Sequence, residues 1–183
     1  MGSRVAMKLS EKSPVIEYLR REQANAVRLY LQYKGYHWNV AGPLFHDLHL
    51  LFDEHGKAVF DTIDPLAERQ RMLGAVAEYS LEAMLHESTI REGSSKPRSP
   101  REMVERLAEA HRTAIQGIKL GFRSAEQHND PGSADLFARC VQEHEKMLWF
   151  LEELLEGESP LAERIALGPN SSKSRAEAIP SGR

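Results

Sequence analysis

Residues 36–69 read YHWNVAGPLFHDLHLLFDEHGKAVFDTIDPLAER, and this stretch decides the fold class. A helical pattern ends near Val40 and the segment Ala41-Gly42-Pro43 breaks it. Pro43 then opens a second helical pattern that continues to about Leu73. The stretch therefore predicts two long helices joined by a short connection. Pro65 lies inside the second pattern, so we expect either a kink there or an earlier helix end.

The start of the first of these helices and two further long helices can be read from the rest of the sequence. Ser13-Pro14 starts the first long helix, Ser99-Pro100 starts a third that runs to about Gln127, and Asn129-Asp130-Pro131 starts the last. Residues 75–92 are weakly helical, and no strand pattern is visible. The sequence predicts an all-α four-helix bundle with a short extra helix in the long connection between the second and third helices. Bundles of this kind often build metal sites from facing helices.

Composition limits the function classes. The 183 residues fit one domain, which we place at 13–156, between a flexible N-terminal segment 1–12 and a flexible C-terminal tail 157–183. The net charge of -3 argues against a chain that coats nucleic acid over its whole surface. The single cysteine, Cys140, excludes a multi-cysteine metal site within one chain and is expected to be buried. Without a membrane span or signal peptide pattern, we expect a cytoplasmic location.

Two pairs of potential metal ligands lie on the second helix. His49 and Asp53 are four residues apart, as are Asp64 and Glu68, and at ~100° per residue all four fall within an arc of roughly 100°. His37 lies near the end of the first helix. Such pairs usually decorate a solvated face, so each pair alone is weak evidence for metal binding.

The distance between the pairs makes them informative. Asp53 and Asp64 are separated by ~16 Å along a helix, which is too far for one metal ion. Two antiparallel copies of the helix would bring each Asp64–Glu68 pair to the partner's His49–Asp53 pair and give two identical sites. Two imidazoles and three carboxylates suit iron, in an arrangement where a two-metal site is possible, and zinc or manganese could substitute. No glutamate is followed by histidine three residues later, which argues against a di-iron site within one bundle.

These residues resemble the Dps family, the DNA-binding proteins from starved cells, also called mini-ferritins. The resemblance covers most of residues 14–156. The segments that carry it are Tyr36–Phe45, the residues His49, Asp53, Asp64 and Ala67-Glu68-Arg69, the segment Asp130–Asp135 and the segment His144–Phe150.

The resemblance implies a ferritin-like bundle that assembles into a hollow shell of twelve subunits. It also implies ferroxidase activity that prefers hydrogen peroxide, storage of ferric mineral and protection of DNA from oxidative damage. The implied intersubunit site takes His37, His49 and Asp53 from one subunit, and Asp64 and Glu68 from its two-fold mate.

The resemblance leaves several alternatives open. Trp38 is implied as an electron donor, or it is an aromatic residue packed in the dimer interface. Asp130 and Asp135 are implied near a three-fold pore, although Asp130 could instead only cap a helix. His46 and His55 are left as surface or packing residues. The alternative function is nucleoid-associated DNA binding through basic residues of the two tails, with iron oxidation secondary.

Overall fold

The computed structural model describes residues 13–91 and 99–156, and these form five helices without a strand. The helices are α1 (Pro14–Asn39), α2 (Phe45–Met72), the short α3 (Leu81–Glu87), α4 (Pro100–Gln127) and α5 (Pro131–Leu155). The all-α bundle with a short helix in the connection between its second and third long helices is thereby confirmed. The predicted flexible segments 1–12 and 157–183 lie outside the described residues.

The helix boundaries follow the local sequence signals. Pro14, Pro100 and Pro131 each stand in the first turn of a long helix, where the missing amide hydrogen costs no helical bond. Ser99 caps α4 by accepting a hydrogen bond from the Glu102 amide at 3.2 Å. The connections that follow α1 and α2 contain Gly42 and Gly74 at φ +103° and +95°, which a side chain would oppose.

The second helix departs from the prediction in two details. It begins at Phe45 rather than Pro43, because residues 43 and 44 form a turn. It continues through Pro65 to Met72, so Pro65 does not end it. The preceding residues therefore keep helical geometry, and both ligand pairs lie on one continuous helix.

The core lies between the four long helices. α1 packs against α2 and α4, and α5 packs against α4 and α2. Phe137 of α5 lies directly over Gly121 of α4, whose missing side chain makes room for the ring. Cys140 is a buried free thiol, as predicted. The large aliphatic and aromatic side chains that are fully buried here include Ile16, Leu19, Leu29, Leu48, Phe52, Leu107, Ile118 and Leu151.

The long connection is fastened to α1 by polar side chains. The side-chain carbonyl oxygen of Asn25 accepts hydrogen bonds from the backbone amide of Thr89 and from the Ser88 hydroxyl, each at 2.9 Å. The Gln23 side-chain amide donates to the carbonyl of Glu78 at 3.0 Å. α3 also packs against α1, so the connection is held along one side of the bundle.

Candidate functional site

The two histidines at the junction of α1 and α2 form a stacked pair. Their ring centroids are 3.7 Å apart with an interplanar angle of 23°. His37 Nδ1 lies 2.8 Å from the carbonyl oxygen of His49, and His49 Nδ1 lies 2.9 Å from the carbonyl oxygen of His37. The carbonyl of His37 belongs to the last turn of α1, where carbonyls have no partner within the helix. The two hydrogen bonds therefore also close the end of α1.

This reciprocal pairing fixes the tautomer of each imidazole. A carbonyl oxygen only accepts hydrogen bonds, so each Nδ1 must carry the hydrogen and donate it. In the neutral ring, Nε2 then holds the lone pair. An imidazole whose Nδ1–H is tied to a backbone carbonyl is the arrangement that orients Nε2 for a metal ion. Both His37 and His49 are therefore set up as nitrogen ligands.

Asp53 lies one turn beyond His49 and is half-exposed. The Lys34 ammonium donates a hydrogen bond to its Oδ1 at 2.6 Å. This hydrogen bond, together with the positive charge of Lys34 and the nearby imidazoles, lowers the pKa of Asp53 below 3.8. Asp53 is thus a carboxylate at neutral pH, ready to bind a cation. Lys34 could not be predicted as a partner of Asp53 from the sequence, since lysine is common in exposed helical patterns and does not by itself indicate an ion pair.

Asp64 and Glu68 are exposed on the same helix, and neither has a hydrogen bond or ion pair among residues 13–91 and 99–156. Because α2 is continuous from Phe45 to Met72, the separation of ~16 Å between Asp53 and Asp64 stands. The part of the chain that the structure describes contains no group of three or more His, Cys, Asp or Glu residues that could hold a metal ion. One chain therefore brings His37, His49 and Asp53 to one region and leaves the second pair at the other end of α2.

An ion pair fixes the end of α2 that bears the second pair. The Arg69 guanidinium donates to the Asp130 carboxylate, and Arg69 Nε donates to the Ser133 hydroxyl at 2.9 Å. Burial acts to raise the pKa of Asp130, but the hydrogen bonds from Ser133 and the charge of Arg69 outweigh it and lower the pKa below 3.8. Asp130 is 1% exposed and caps α5 through the Ser133 amide. The capping interpretation of Asp130 is confirmed, whereas Asp135 is exposed and pairs with Arg139.

An apolar surface surrounds the histidine pair and follows α2. The Phe45 ring lies 5.0 Å from the His49 ring, measured between centroids, and Trp38 is 68% exposed. Phe60 is 53% exposed and, at ~100° per residue, falls within the same arc as the two ligand pairs and between them. Exposed apolar side chains grouped in this way mark an interaction surface.

The remaining histidines of α2 separate into two classes. The side chain of His46 is 81% exposed and only touches the neighbouring Asp47. His55 is 5% exposed and contacts the Tyr33 hydroxyl in the core. His46 is therefore a surface residue and His55 a packing residue, which sequence analysis had left undivided.

No helix among the described residues has the length and apolar character needed to cross a membrane.

Known proteins resemble the chain over most of its length. The family defined as the ferritin-like domain matches residues 16–159. The DNA protection during starvation protein of Brevibacillus brevis is 34% identical over 82% of this chain and 100% of its own length.

Two solved structures extend the comparison. Dps from Thermosynechococcus elongatus is 42% identical, with a TM-score of 0.78 over 81% of this chain and 94% of that one. A Dps protein from Vibrio cholerae, described as a member of a broad superfamily of ferritin-like diiron-carboxylate proteins, is 27% identical, with a TM-score of 0.75 over 80% and 91% of the two chains. The chain belongs to the Dps family of ferritin-like proteins.

Proposed function

We propose that this protein oxidises ferrous iron, with hydrogen peroxide as the preferred oxidant, at a site built jointly by two copies of the chain. His37, His49 and Asp53 of one subunit bind the iron together with Asp64 and Glu68 of its two-fold mate. The observation that carries the proposal is the placement of both ligand pairs on one arc of one continuous helix, too far apart to meet within a chain.

The two-fold arrangement follows from this placement. An antiparallel second copy of α2 would place each acidic pair beside the partner's histidines, and a two-fold axis produces two such sites at once. The exposed Phe60 lies between the pairs and supplies apolar area for contact near the axis. Asp64 and Glu68 have no cation beside them among the residues that the structure describes, and this supports the same conclusion, because two adjacent carboxylates without a cation repel each other.

The donor set suits iron as the substrate. Carboxylate oxygen favours hard cations and imidazole suits borderline ones, while no thiolate is present to select copper or zinc. Anionic oxygen ligands stabilise Fe(III) more than Fe(II), which favours oxidation. Two ferrous ions supply the two electrons that one hydrogen peroxide accepts, so iron and peroxide would be consumed together. The same residues would also accept zinc or manganese, which would then compete with iron. The five side chains are enough ligands for a site with two metal ions.

The diiron-carboxylate description of the Vibrio cholerae relative supports iron as the metal, and the Brevibacillus brevis name supports a role in protecting DNA. We extend the proposal to a hollow shell of twelve subunits that lies in the cytoplasm and stores the ferric product as mineral in its interior. Removing Fe(II) and peroxide together would suppress hydroxyl-radical damage to DNA.

Stopped-flow absorbance after anaerobic loading with Fe(II) and addition of peroxide tests the proposal. The double variant His37→Ala, His49→Ala should oxidise iron much more slowly than the wild type. His46→Ala is the matched control, because His46 is an exposed histidine of the same helix whose side chain contacts the neighbouring Asp47. Unchanged kinetics in the double variant would refute the assignment.

DNA binding through the tails is the second candidate function, and the DNA protection name of the relative is what favours it. The basic residues concerned lie in segments 1–12 and 157–183, outside the described residues. A gel-shift assay across salt concentrations distinguishes the two functions, because phosphate contacts give a steep loss of affinity with salt. Retention of DNA binding after removal of both tails would count against the tails as the contact.

A further inference from the structure

Four ring side chains, one from each long helix, are joined by hydrogen bonds through the bundle core. The Tyr33 hydroxyl lies 2.6 Å from His111 Nε2 and 3.2 Å from His55 Nδ1. His111 Nδ1 lies 3.0 Å from His144 Nδ1. Tyr33 and His111 are fully buried, and His55 and His144 are about 5% exposed or less. Neither the proposed iron site nor the packing of the bundle requires this chain of polar groups.

The distances indicate the direction of the hydrogen bonds. Hydrogen bonds donated by O–H are shorter than those donated by N–H. The 2.6 Å contact therefore fits the Tyr33 hydroxyl donating to His111 Nε2, and the 3.2 Å contact fits His55 Nδ1–H donating to the Tyr33 oxygen. His111, with its lone pair on Nε2, then donates its Nδ1–H to His144. Each of the three hydrogen bonds has one donor and one acceptor in this arrangement, and the phenol faces a basic nitrogen.

Burial keeps that nitrogen ready to accept a proton. Desolvation, followed by the proximity of His144 and His55, lowers the pKa of His111 well below 6.5. Desolvation also lowers the pKa of His144 to about 4. Both rings are consequently neutral at physiological pH. A phenol that loses an electron becomes a far stronger acid than an imidazolium, so even this weakened base accepts its proton.

Tyr33 is the described tyrosine that has such a base. Tyr36 packs against the same Phe52 ring, with centroids 6.4 Å apart compared with 6.2 Å for Tyr33. The Tyr36 hydroxyl, however, accepts a hydrogen bond from the side-chain amide of Gln32, which cannot take a proton. The two tyrosines thus have similar positions and differ in their partner.

Tyr33 also has neighbours that adjoin or contact a residue of the proposed iron site. Phe52, which its ring contacts, immediately precedes Asp53 in α2. Lys34, the next residue of α1, holds the Asp53 carboxylate. Two short routes therefore connect the buried phenol to Asp53, one through the Phe52 ring and one through Lys34.

We propose that Tyr33 and His111 form a redox-active pair that supplies one electron to hydrogen peroxide when only one ferrous ion is bound. The inference rests on the proposed ferroxidase function. Peroxide takes one electron from Fe(II) and one from Tyr33, its O–O bond breaks, and two solvent protons complete two water molecules. The phenolic proton moves to His111 Nε2. A second ferrous ion later returns one electron to the phenoxyl radical, which recovers its proton from His111.

This pair would prevent the release of hydroxyl radical when iron is scarce. A single ferrous ion gives peroxide only one of the two electrons that it needs, and the half-reduced product is hydroxyl radical. The second electron from Tyr33 completes the reduction inside the protein. Among the residues that the structure describes, the exposed Trp38 donates no hydrogen bond to a basic side chain, whereas the buried tyrosine is shielded from side reactions with solvent.

The test uses the whole assembled protein loaded anaerobically with one Fe(II) per site, mixed with hydrogen peroxide and frozen for electron paramagnetic resonance. The wild type should show a phenoxyl radical whose hyperfine pattern collapses when the tyrosine rings are deuterated. The Tyr33→Phe variant should lose this signal, and the matched control Tyr36→Phe should keep it. In Tyr33→Phe the half-reduced peroxide should leave the site as hydroxyl radical, which a spin trap in the mixture detects, and the wild type should give a much smaller trapped signal.

The outcomes separate the two proposals. Normal iron oxidation with the same radical in Tyr33→Phe as in the wild type would overturn the role of Tyr33 alone. Absence of iron oxidation in the wild type would overturn both. His111→Gln removes the proton acceptor and should reduce the radical yield as Tyr33→Phe does. Should His111→Gln fail to fold, Tyr33→Phe still decides, since it removes one hydroxyl group.

Photochemical one-electron oxidation of the iron-free protein by a ruthenium(III) complex is a second test. The radical yield should rank the wild type, Tyr33→Phe and Tyr36→Phe in the same order as the peroxide experiment.

Discussion

Glu22 of α1 is a buried carboxyl group whose replacement should change how stability depends on pH. Its Oε2 accepts a hydrogen bond from the Asn25 side-chain amide at 3.0 Å, and its Oε1 has no partner among the described residues. Desolvation, opposed by Asn25 and Arg21, raises the pKa of Glu22 from 4.5 to about 7. The folded protein therefore holds a proton on Glu22 between these two pH values, where the unfolded chain has released it.

The sign and size of the effect follow from proton linkage. Because the folded state binds more protons in this window, its stability falls as pH rises from 4.5 through about 7. A difference of about 2.5 pH units, at about 1.4 kcal/mol per unit, gives a loss of about 3 kcal/mol. Glu22→Gln keeps the acceptor for Asn25 and has no ionisable group. The variant should therefore match the wild type near pH 5 and be about 3 kcal/mol more stable near pH 8.

Urea unfolding followed by circular dichroism at both pH values measures this difference. Subunit concentration must be held constant, because assembly adds to apparent stability. Glu17→Gln, at an exposed position of the same helix, controls for the change of net charge. An equal stability difference between wild type and Glu22→Gln at pH 5 and pH 8 would refute the placement of an ionisable Glu22 in the core.

Three further substitutions test the packing that positions the site, each measured by thermal unfolding at constant subunit concentration. Asp130→Ala removes the cap of α5 and strands Arg69, so it should cost about 1–2 kcal/mol or more, and an unchanged Tm would contradict the ion pair. Gly121→Ala places a Cβ 2.6 Å from the Phe137 ring and should cost about 1–3 kcal/mol; a stabilised protein would show that the helices are less close than described. Asn25→Ala leaves the Thr89 amide without its acceptor and should cost about 1–3 kcal/mol, with the long connection becoming more sensitive to protease; unchanged cleavage would contradict its role as an anchor.

The helices were predictable because their signals are local. Serine and aspartate caps, first-turn prolines and glycines after the ends each act within a few residues, and they placed α1, α2, α4 and α5 to within two residues. Pro65 was the exception to this rule. Its local effect did not end α2, because packing keeps the chain helical through Pro65 to Met72.

The candidate ligand residues were chosen from their spacing along α2 and from the position of His37 near the end of α1, and this pattern does not give their surroundings. The hydrogen bonds between His37 and His49 cross from α1 to α2, and the bond from Lys34 to Asp53 does the same. Such contacts depend on how two helices dock. The sequence therefore predicted candidate ligands, but not the tautomers of the two histidines or the charge partner of Asp53.

The buried histidines and Glu22 left a signal that spacing alone could have shown. His111 lies four residues after Leu107 and three before Ala114, and His144 lies four residues after Cys140. Each thus occupies a position of the apolar stripe of its helix. A polar residue in such a stripe predicts a buried hydrogen bond, although its partner on another helix becomes known only from the fold.

The central claim, that each iron site is shared between two subunits, is tested most directly by mixing two inactive variants. One variant carries His37→Ala and His49→Ala, and the other carries Asp64→Ala and Glu68→Ala. A mixed dimer would then contain one site with both halves intact and one with both halves destroyed.

Peroxide-dependent iron oxidation should be measured for each variant alone and after unfolding and co-assembly of an equal mixture. Random pairing of a two-fold dimer makes half of the dimers mixed, so about a quarter of the sites should recover. The account predicts that each variant alone is inactive and that the mixture regains about a quarter of the wild-type rate. A co-assembled mixture that remains as inactive as its components would contradict the shared site.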